Sequence, residues 1–334
     1  MDSITHICLG AVVGEILAGK TIGKKAMLIG AFAQSLPDID VVAGLWMSPD
    51  QYFLAHRGFS HSFLFVALAS GALSWSAGKL ISKEIGLRFW FVFFFIQLLI
   101  HVLIDSLNAY GTGWLEPFSH MRVSFDLLFV VDPFFSIWLG IAFLLLVAFR
   151  ITSPGRMRLA VAALALSFTY TIYAAINKSG IAKAANQSFE LQHISPSRIL
   201  ITPTPLNCWL WYIVAEVHDG YFIGYRSTFD RDPSVNYQYF PRNDSLIDPI
   251  RGEKDVKSLL LLARDFYTVD RHHDTILFNN LRFGQINGWH DAKGEFVFRY
   301  RLGAPNSVLT VQRGRFSGWN QTAWRNFIER ICGN

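Results

Sequence analysis

Residues 55–63 read AHRGFSHSF, and residues 35–42, a short way before them, read SLPDIDVV. Two histidines, an arginine and two aspartates therefore stand between stretches that otherwise read as lipid-soluble helix. The chain around them has 334 residues, of which 51% are hydrophobic and only 16% charged, and a mean hydropathy of +0.29. That is too apolar for an ordinary soluble protein of this length, so a membrane protein is the first expectation. The formal charge of +5 does not point to nucleic acid. The basic residues of the first half fall in short loops between apolar runs, which is topological information and not a nucleic-acid footprint.

Working outward, six apolar segments approach the roughly 20 residues needed for one crossing: 3–19, 26–46, 62–79, 87–107, 133–149 and 157–176. Pro37 interrupts the second, and the fifth is short. Residues 1–20 lack a basic leader and a small-residue cleavage site, so they read as a retained helix. The aromatic run FWFVFFF (89–95) reads as lipid-facing bulk. From about Lys178 the composition turns polar, with TPTP (202–205) and the turn signals HDGY (218–221), INGW (286–289) and AKGE (292–295). Alternation in LNCWLWYIVAEV, YFIGYRSTF and GEFVFRYRL predicts antiparallel strands, and RGEKDVKSLLLLARDFY and WNQTAWRNFIERIC predict two helices. The expected fold is an α-helical polytopic membrane domain of about six helices (1–177), followed by a soluble α+β domain with antiparallel strands (178–334). Cys8, Cys208 and Cys332 are too few and too scattered for a disulfide framework or a thiolate zinc site, although Cys208 and Cys332 could pair in an extracytoplasmic domain.

Loop charges orient the membrane half. Lys20, Lys24, Lys25, Lys79, Lys83, Arg88, Arg150, Arg156 and Arg158 fall in one set of connections, against Arg57 and Arg122 in the opposite set. The positive-inside rule puts the first set in the cytoplasm, and six crossings then place both termini and the soluble domain outside it. His6, Asp38, Asp40, His56, His61, His101, Asp105 and Asp132 all fall at the outer face, although none of them entered the topology argument.

Ionisable groups at membrane depth cost roughly 2.5–3.5 kcal/mol each on insertion scales, so they persist where they pair or bind an ion. Histidines and carboxylates together suit one or two divalent cations, zinc foremost, with manganese or magnesium chemically possible. In HVLID, His101 and Asp105 stand at i and i+4 on one helical face. Gly58 allows a turn that brings His56 and His61 together, and Pro37 releases Asp38 and Asp40 from helical spacing. The plainer readings are a packed His6, a helix-ending PDID and a hydrogen-bonded His101–Asp105 pair. His120 reads as a loop residue and RHHD (271–274) as a solvated turn.

The run MDSITHICLGAVVGE (1–15), then LPDID (36–40), HRGFSHS (56–62), HVLIDSLNAYGT (101–112), PFS (117–119) with Arg122, VVDPFF (130–135) and TPTPLNCWLWY (202–212) resembles the bacterial membrane-bound metal-dependent hydrolases, also described as LexA-binding and inner-membrane-associated. The resemblance implies a divalent-metal hydrolase of the inner membrane, with a LexA association as a family property. The order of motifs is more distantly similar to zinc-dependent phospholipase C and S1/P1 nuclease, although the later His-rich stretch of that group is missing. Carried over by motif, it makes His56, His101 and Asp105 ligands, lets Asp38 or Asp40 bridge ions, and admits His6 and His61.

The expected chemistry is hydrolysis by a metal-activated water, with an uncoordinated oxygen of Asp38 or Asp40 as general base. Arg57 and Arg122 suit an anionic group, and Asn108, Tyr110 and Thr112 suit the substrate entrance. The expected substrate is a phospholipid or another phosphate ester held at the membrane surface. A metal transporter and a non-catalytic scaffold acting through its soluble domain are the rivals. The transporter reading calls for ligands near the midplane with access from both sides.

Overall fold

The computed structural model describes residues 1–47, 55–81, 84–272, 275–302, 309–311, 316 and 319–333. Two compact units emerge, one of Met1–Ala43 with Ala55–Tyr173, the other comprising the chain from Ala174 onward together with Gly44–Leu54.

In the first unit, α1 (Ser3–Ile22) starts where the Asp2 carboxylate accepts from the Thr5 N–H, and it stops at Gly23, whose φ of 65° is a left-handed exit. α2 (Lys25–Ser35) lies against it closely enough that a Cβ on Gly30 would meet the Gly10 carbonyl at 2.1 Å, and one on Gly14 the Ala26 carbonyl at 2.2 Å. Glycine at these positions is what lets the two backbones touch. A 3₁₀ segment, Pro37–Leu45, follows. The apolar segment 26–46 is therefore not one spanning helix: Pro37 has no N–H to continue the α ladder, and the chain tightens instead.

A 3₁₀ turn at Phe59–His61 leads into α3 (Phe63–Leu80), capped by Ser62 through the Phe65 N–H. α4 (Leu87–Asp105) carries the aromatic run, α5 (Pro133–Ala148) is capped by Asp132 with Pro133 in its first turn, and α6 is Gly155–Leu191. The helices Ser3–Ile22, Phe63–Leu80, Leu87–Asp105 and Gly155–Leu191 are long and apolar enough to cross a membrane, and Pro133–Ala148 is a shorter apolar helix. At 1.5 Å per residue the 37-residue α6 is about 55 Å long, well beyond a ~30 Å hydrocarbon core. The aromatic run is not all lipid-facing: Phe91 and Val92 point outward, whereas Trp90, Phe93 and Phe94 are buried against Ala18, Ala26, Ala33 and Ala77. One face of α4 is thus the core of this unit, because small residues on three neighbouring helices leave room for large rings.

The second unit holds two four-stranded antiparallel sheets. β1 (Arg198–Pro203), β2 (Leu210–Val217), β3 (Gly220–Ser227) and β4 (Gln238–Pro241) form the first in chain order. After α7 (Lys254–Ala263) come β5 (Tyr267–His272), β6 (Thr275–Gln285), β7 (Phe296–Leu302) and β8 (Leu309–Val311), also in order, and the helix α8 (Gln321–Cys332). Leu200, Tyr212, Val214 and Ile223 from one sheet meet Leu281 and Phe296 from the other in a shared core. The strands and helices expected at 206–217, 221–229, 294–302, 251–267 and 319–332 are present within those stretches; β1, β4, β5, β6 and β8 had no clear alternation to betray them. Thr202 and Pro203 of TPTP end β1. β2 lacks the alternating burial its sequence suggests, because residues 210–216 are buried on both faces. Of RHHD, Arg271 and His272 end β5, and His273 and Asp274 lie outside the described residues. Among the described residues no disulfide joins Cys208 to Cys332: the first is buried and accepts from Asn177 Nδ2, and the second is exposed.

Candidate metal centre

Four elements of the first unit bring acids and imidazoles together. α1 supplies His6, the 3₁₀ segment after α2 supplies Asp38 and Asp40, the turn before α3 supplies His56, Arg57 and His61, and the last turn of α4 supplies His101 and Asp105. One donor atom from each of Asp38, His61, His101 and Asp105 can be chosen so that all four lie within 4.8 Å of one another. His61, His101 and Asp105 are fully buried, and Asp38 lies at the edge.

Hydrogen bonds fix the tautomers. His101 Nδ1 stands 2.5 Å from the Gln34 carbonyl oxygen, which can only accept, so Nδ1 carries the hydrogen. The Ser60 hydroxyl donates to Asp40 Oδ2 at 2.5 Å, so its oxygen accepts from His61 Nδ1 at 2.9 Å. In their neutral forms both imidazoles therefore turn an Nε2 lone pair into the cluster, and these two atoms are 3.1 Å apart. The Asp38 Oδ1 oxygen lies 3.5 Å from His61 Nε2 and 3.6 Å from His101 Nε2. Asp105 Oδ2 lies 3.4 Å and 3.8 Å from the same two nitrogens, and 3.1 Å from Arg57 Nε. It is buried and accepts no hydrogen bond among the described residues. Facing lone pairs beside a buried carboxylate oxygen fit a divalent cation, which would accept both imidazole lone pairs.

Around this group lies a second layer. His6 stacks on His101 with ring centroids 3.9 Å apart, and its Nε2 is 3.0 Å from Asp105 Oδ1, which also receives the amino group of Met1. Gln34 Oε1 holds His6 Nδ1 at 3.3 Å. Arg57 has a φ of 63°, so the left-handed residue of the HRG turn is the arginine, where the sequence suggests Gly58. That conformation turns its N–H to Asp40 Oδ2 at 2.9 Å and its buried guanidinium to Asp105, to Asn108 Oδ1 at 2.9 Å and over the Tyr110 ring.

Several expected assignments change. His56 is not in the four-donor group: its Nδ1 pairs with Asp40 Oδ1 at 2.6 Å, and its ring centroid is 6.1 Å from that of His61. Asp40 is not poised to bridge ions, because one oxygen takes His56 and the other takes Ser60 and the Arg57 amide. Arg57 and Arg122 do not form a pair of open anion forks, since the first is held by Asp105 and Asn108 and the second donates to the His56 carbonyl at 3.0 Å. Thr112 is buried and pairs through its backbone with Val123, which makes it part of the loop's frame and not an entrance. Asp132 lies outside the group altogether, capping α5 and accepting from Tyr170 at 3.0 Å. His120 is exposed and pairs with Glu116, as a loop residue should. Gln34 and Ser60 escaped the sequence reading; a lone amide one turn before Pro37 in an apolar run, and a serine beside His61, were the available signals.

Residues 1–181 match the YdjM inner membrane protein family. The chain is also similar to the uncharacterized protein YfhP of Bacillus subtilis (strain 168), 26% identical over 231 residues that cover 67% of this chain and 68% of that protein. It is similar to the inner membrane protein YbcI of Escherichia coli (strain K12), 32% identical over 121 residues, or 36% of this chain and 69% of that protein. No solved structure matches. The matched region contains every residue of the four-donor group together with the apolar helices that carry it, and the chain belongs to the YdjM inner membrane protein family.

Proposed function

We propose that this protein is a divalent-metal hydrolase of the inner membrane, acting on a phosphate ester presented at the membrane surface. The observation that carries the reading is the 3.1 Å approach of two imidazole Nε2 atoms beside the buried carboxylate of Asp105. Asp38, His61, His101 and Asp105 would hold one ion, and a mixed imidazole–carboxylate set favours zinc. When bound, such an ion supplies Lewis acidity and a more acidic water. The chain's own residues do the rest. Arg57 balances the charge of Asp105 at the inner wall, and Asp40 fixes the tautomer of half-buried His56 through Nδ1, which readies that ring to take or give a proton beside the cluster. His6, Gln34 and Ser60 hold the rings in place.

His61 sits just before α3 and His101 and Asp105 at the end of α4, whereas Lys79 and Arg88 sit at the opposite ends of the same helices. By the positive-inside rule this supports an extracytoplasmic centre, with the C-terminal domain on that side of α6. Donors gathered at one end, with no second cluster among the described residues, speak against a transporter.

Elemental analysis of the full chain purified in detergent, followed by assay on phospholipids and water-soluble phosphodiesters with zinc, manganese or magnesium, tests the reading. Near-stoichiometric metal and turnover are expected, with both abolished in His101→Ala and Asp105→Asn. A protein that takes up no divalent ion, or a loaded one that cleaves no phosphate ester, ends the proposal.

A further inference from the structure

We propose that the loop between α4 and α5 is a lipid anchor, whose tip enters the glycerol and upper acyl region of the phospholipid leaflet at the mouth of the acid–histidine cluster. The stem of this loop is pinned to the membrane helices. The Phe125 N–H donates to the Ser106 carbonyl at 2.7 Å, the Gly113 N–H to the Arg57 carbonyl at 2.9 Å, and the Phe63 N–H to the Trp114 carbonyl at 3.0 Å. The Trp114 ring lies 5.1 Å from that of Phe63, the first residue of α3. The tip is therefore fixed at the level where α3 begins and α4 ends.

What the tip presents is apolar. Phe118 is 83% exposed, and Leu115 and Met121 are exposed beside it. Two features suit these side chains to lipid. The tip's backbone turns on itself, with the Phe118 and Ser119 amides donating to the Leu115 carbonyl at 2.9 and 3.1 Å, so donors that would be costly to bring into an apolar layer are already satisfied. Its acid, Glu116, is turned away from solvent, with its side chain only 16% exposed, and is held by His120 at 2.9 Å. Phe63 and Leu68 on α3 are exposed as well, and Trp114, at the stem, is of the residue type enriched at the membrane–water interface. This anchor would hold the opening of the cluster against the bilayer whether or not the cluster is catalytic.

Depth-dependent quenching tests the assignment. In a Cys332→Ser background, Phe118→Cys carries an environment-sensitive fluorophore on the full chain in phosphatidylethanolamine–phosphatidylglycerol liposomes, with Met121→Cys as a second reporter and Lys293→Cys as a water-exposed reference. Emission at 118 and 121 should shift to shorter wavelength than at 293, and should be lost with spin-labelled lipids but not with aqueous iodide. Quenching by iodide overturns the proposal, and so does protection from both quenchers, which means that protein covers the tip. A melting profile unchanged from the parent shows that each labelled chain is folded.

Discussion

At the scale of single residues, the centre depends on side chains that would never touch an ion. Ser60 occupies a pivotal position, passing its own hydrogen to Asp40 and taking that of His61. Removing the acceptor frees His61 to flip or change tautomer, and such outer partners typically set metal affinity by about 10–100-fold. Ser60→Ala should therefore weaken zinc binding by roughly that factor in competition with a chelator, while His120→Ala, at an exposed pair, should leave it unchanged. Equal affinity in Ser60→Ala and the parent would show that His61 is positioned by something else. The left-handed Arg57 belongs to the same scale: a residue whose backbone is strained holds Asp40 with its amide and Asp105 with its guanidinium, joining the two halves of the site.

Among the elements, the ties between helices matter most. Glu15 on α1 and Arg156 at the start of α6 form a buried two-pronged pair at 2.8 and 2.7 Å, and Arg156 also takes the Leu146 and Phe149 carbonyls at the end of α5. Both side chains are nearly inaccessible, so loss of one partner strands the other charge, at a typical cost of about 3–5 kcal/mol. Glu15→Gln should lower the melting temperature of the detergent-solubilised protein sharply. Glu15→Leu combined with Arg156→Met should recover much of the loss, although the α5 carbonyls stay uncapped. If Glu15→Gln melts with the parent, the pair is not stabilising. The α1–α2 contact through Gly10, Gly14 and Gly30 sets the distance at which Gln34 reaches His6 and His101, so helix packing and site geometry are one property.

Considering the whole molecule, the two units rest on different physics. The first buries small residues and rings between apolar helices, while the second relies on paired sheets braced by charge. In the second, Glu216 is shared by Arg198 at 2.5 Å and Arg242. Burial alone would raise its pKa, but the hydrogen bonds from the two arginines prevail and hold it below the ordinary value. A carboxylate depressed in the folded state contributes stability that is fully present above its unfolded pKa, near ~4.3, and is lost as pH falls through the folded value. Hydrogen-exchange protection factors at β1 and β2, corrected for the intrinsic pH dependence of amide exchange, should thus fall on acidification below that range, and Glu216→Gln should remove this part of the pH dependence. An acid response identical in the two proteins would assign it to other groups.

Much of this was legible in the chain itself. Apolar runs of spanning length, the break at Pro37 and the i, i+4 spacing of His101 and Asp105 are local, and local patterns follow from backbone sterics and the cost of polar groups in lipid. The membrane class, the change at about residue 178 and the pool of candidate ligands came from such patterns. Only the tertiary structure chose among the candidates, drawing in Asp38 and His61 with His101 and Asp105, and leaving His56 and Asp40 to each other and Asp132 to a helix cap. It also turned half of FWFVFFF inward and split the second segment into two short helices. The reason is that a ligand set is a matter of distances between atoms on separate elements. Those distances are set by how closely helices pack and by which hydrogen each imidazole keeps, and neither is written into the spacing along one strand of chain.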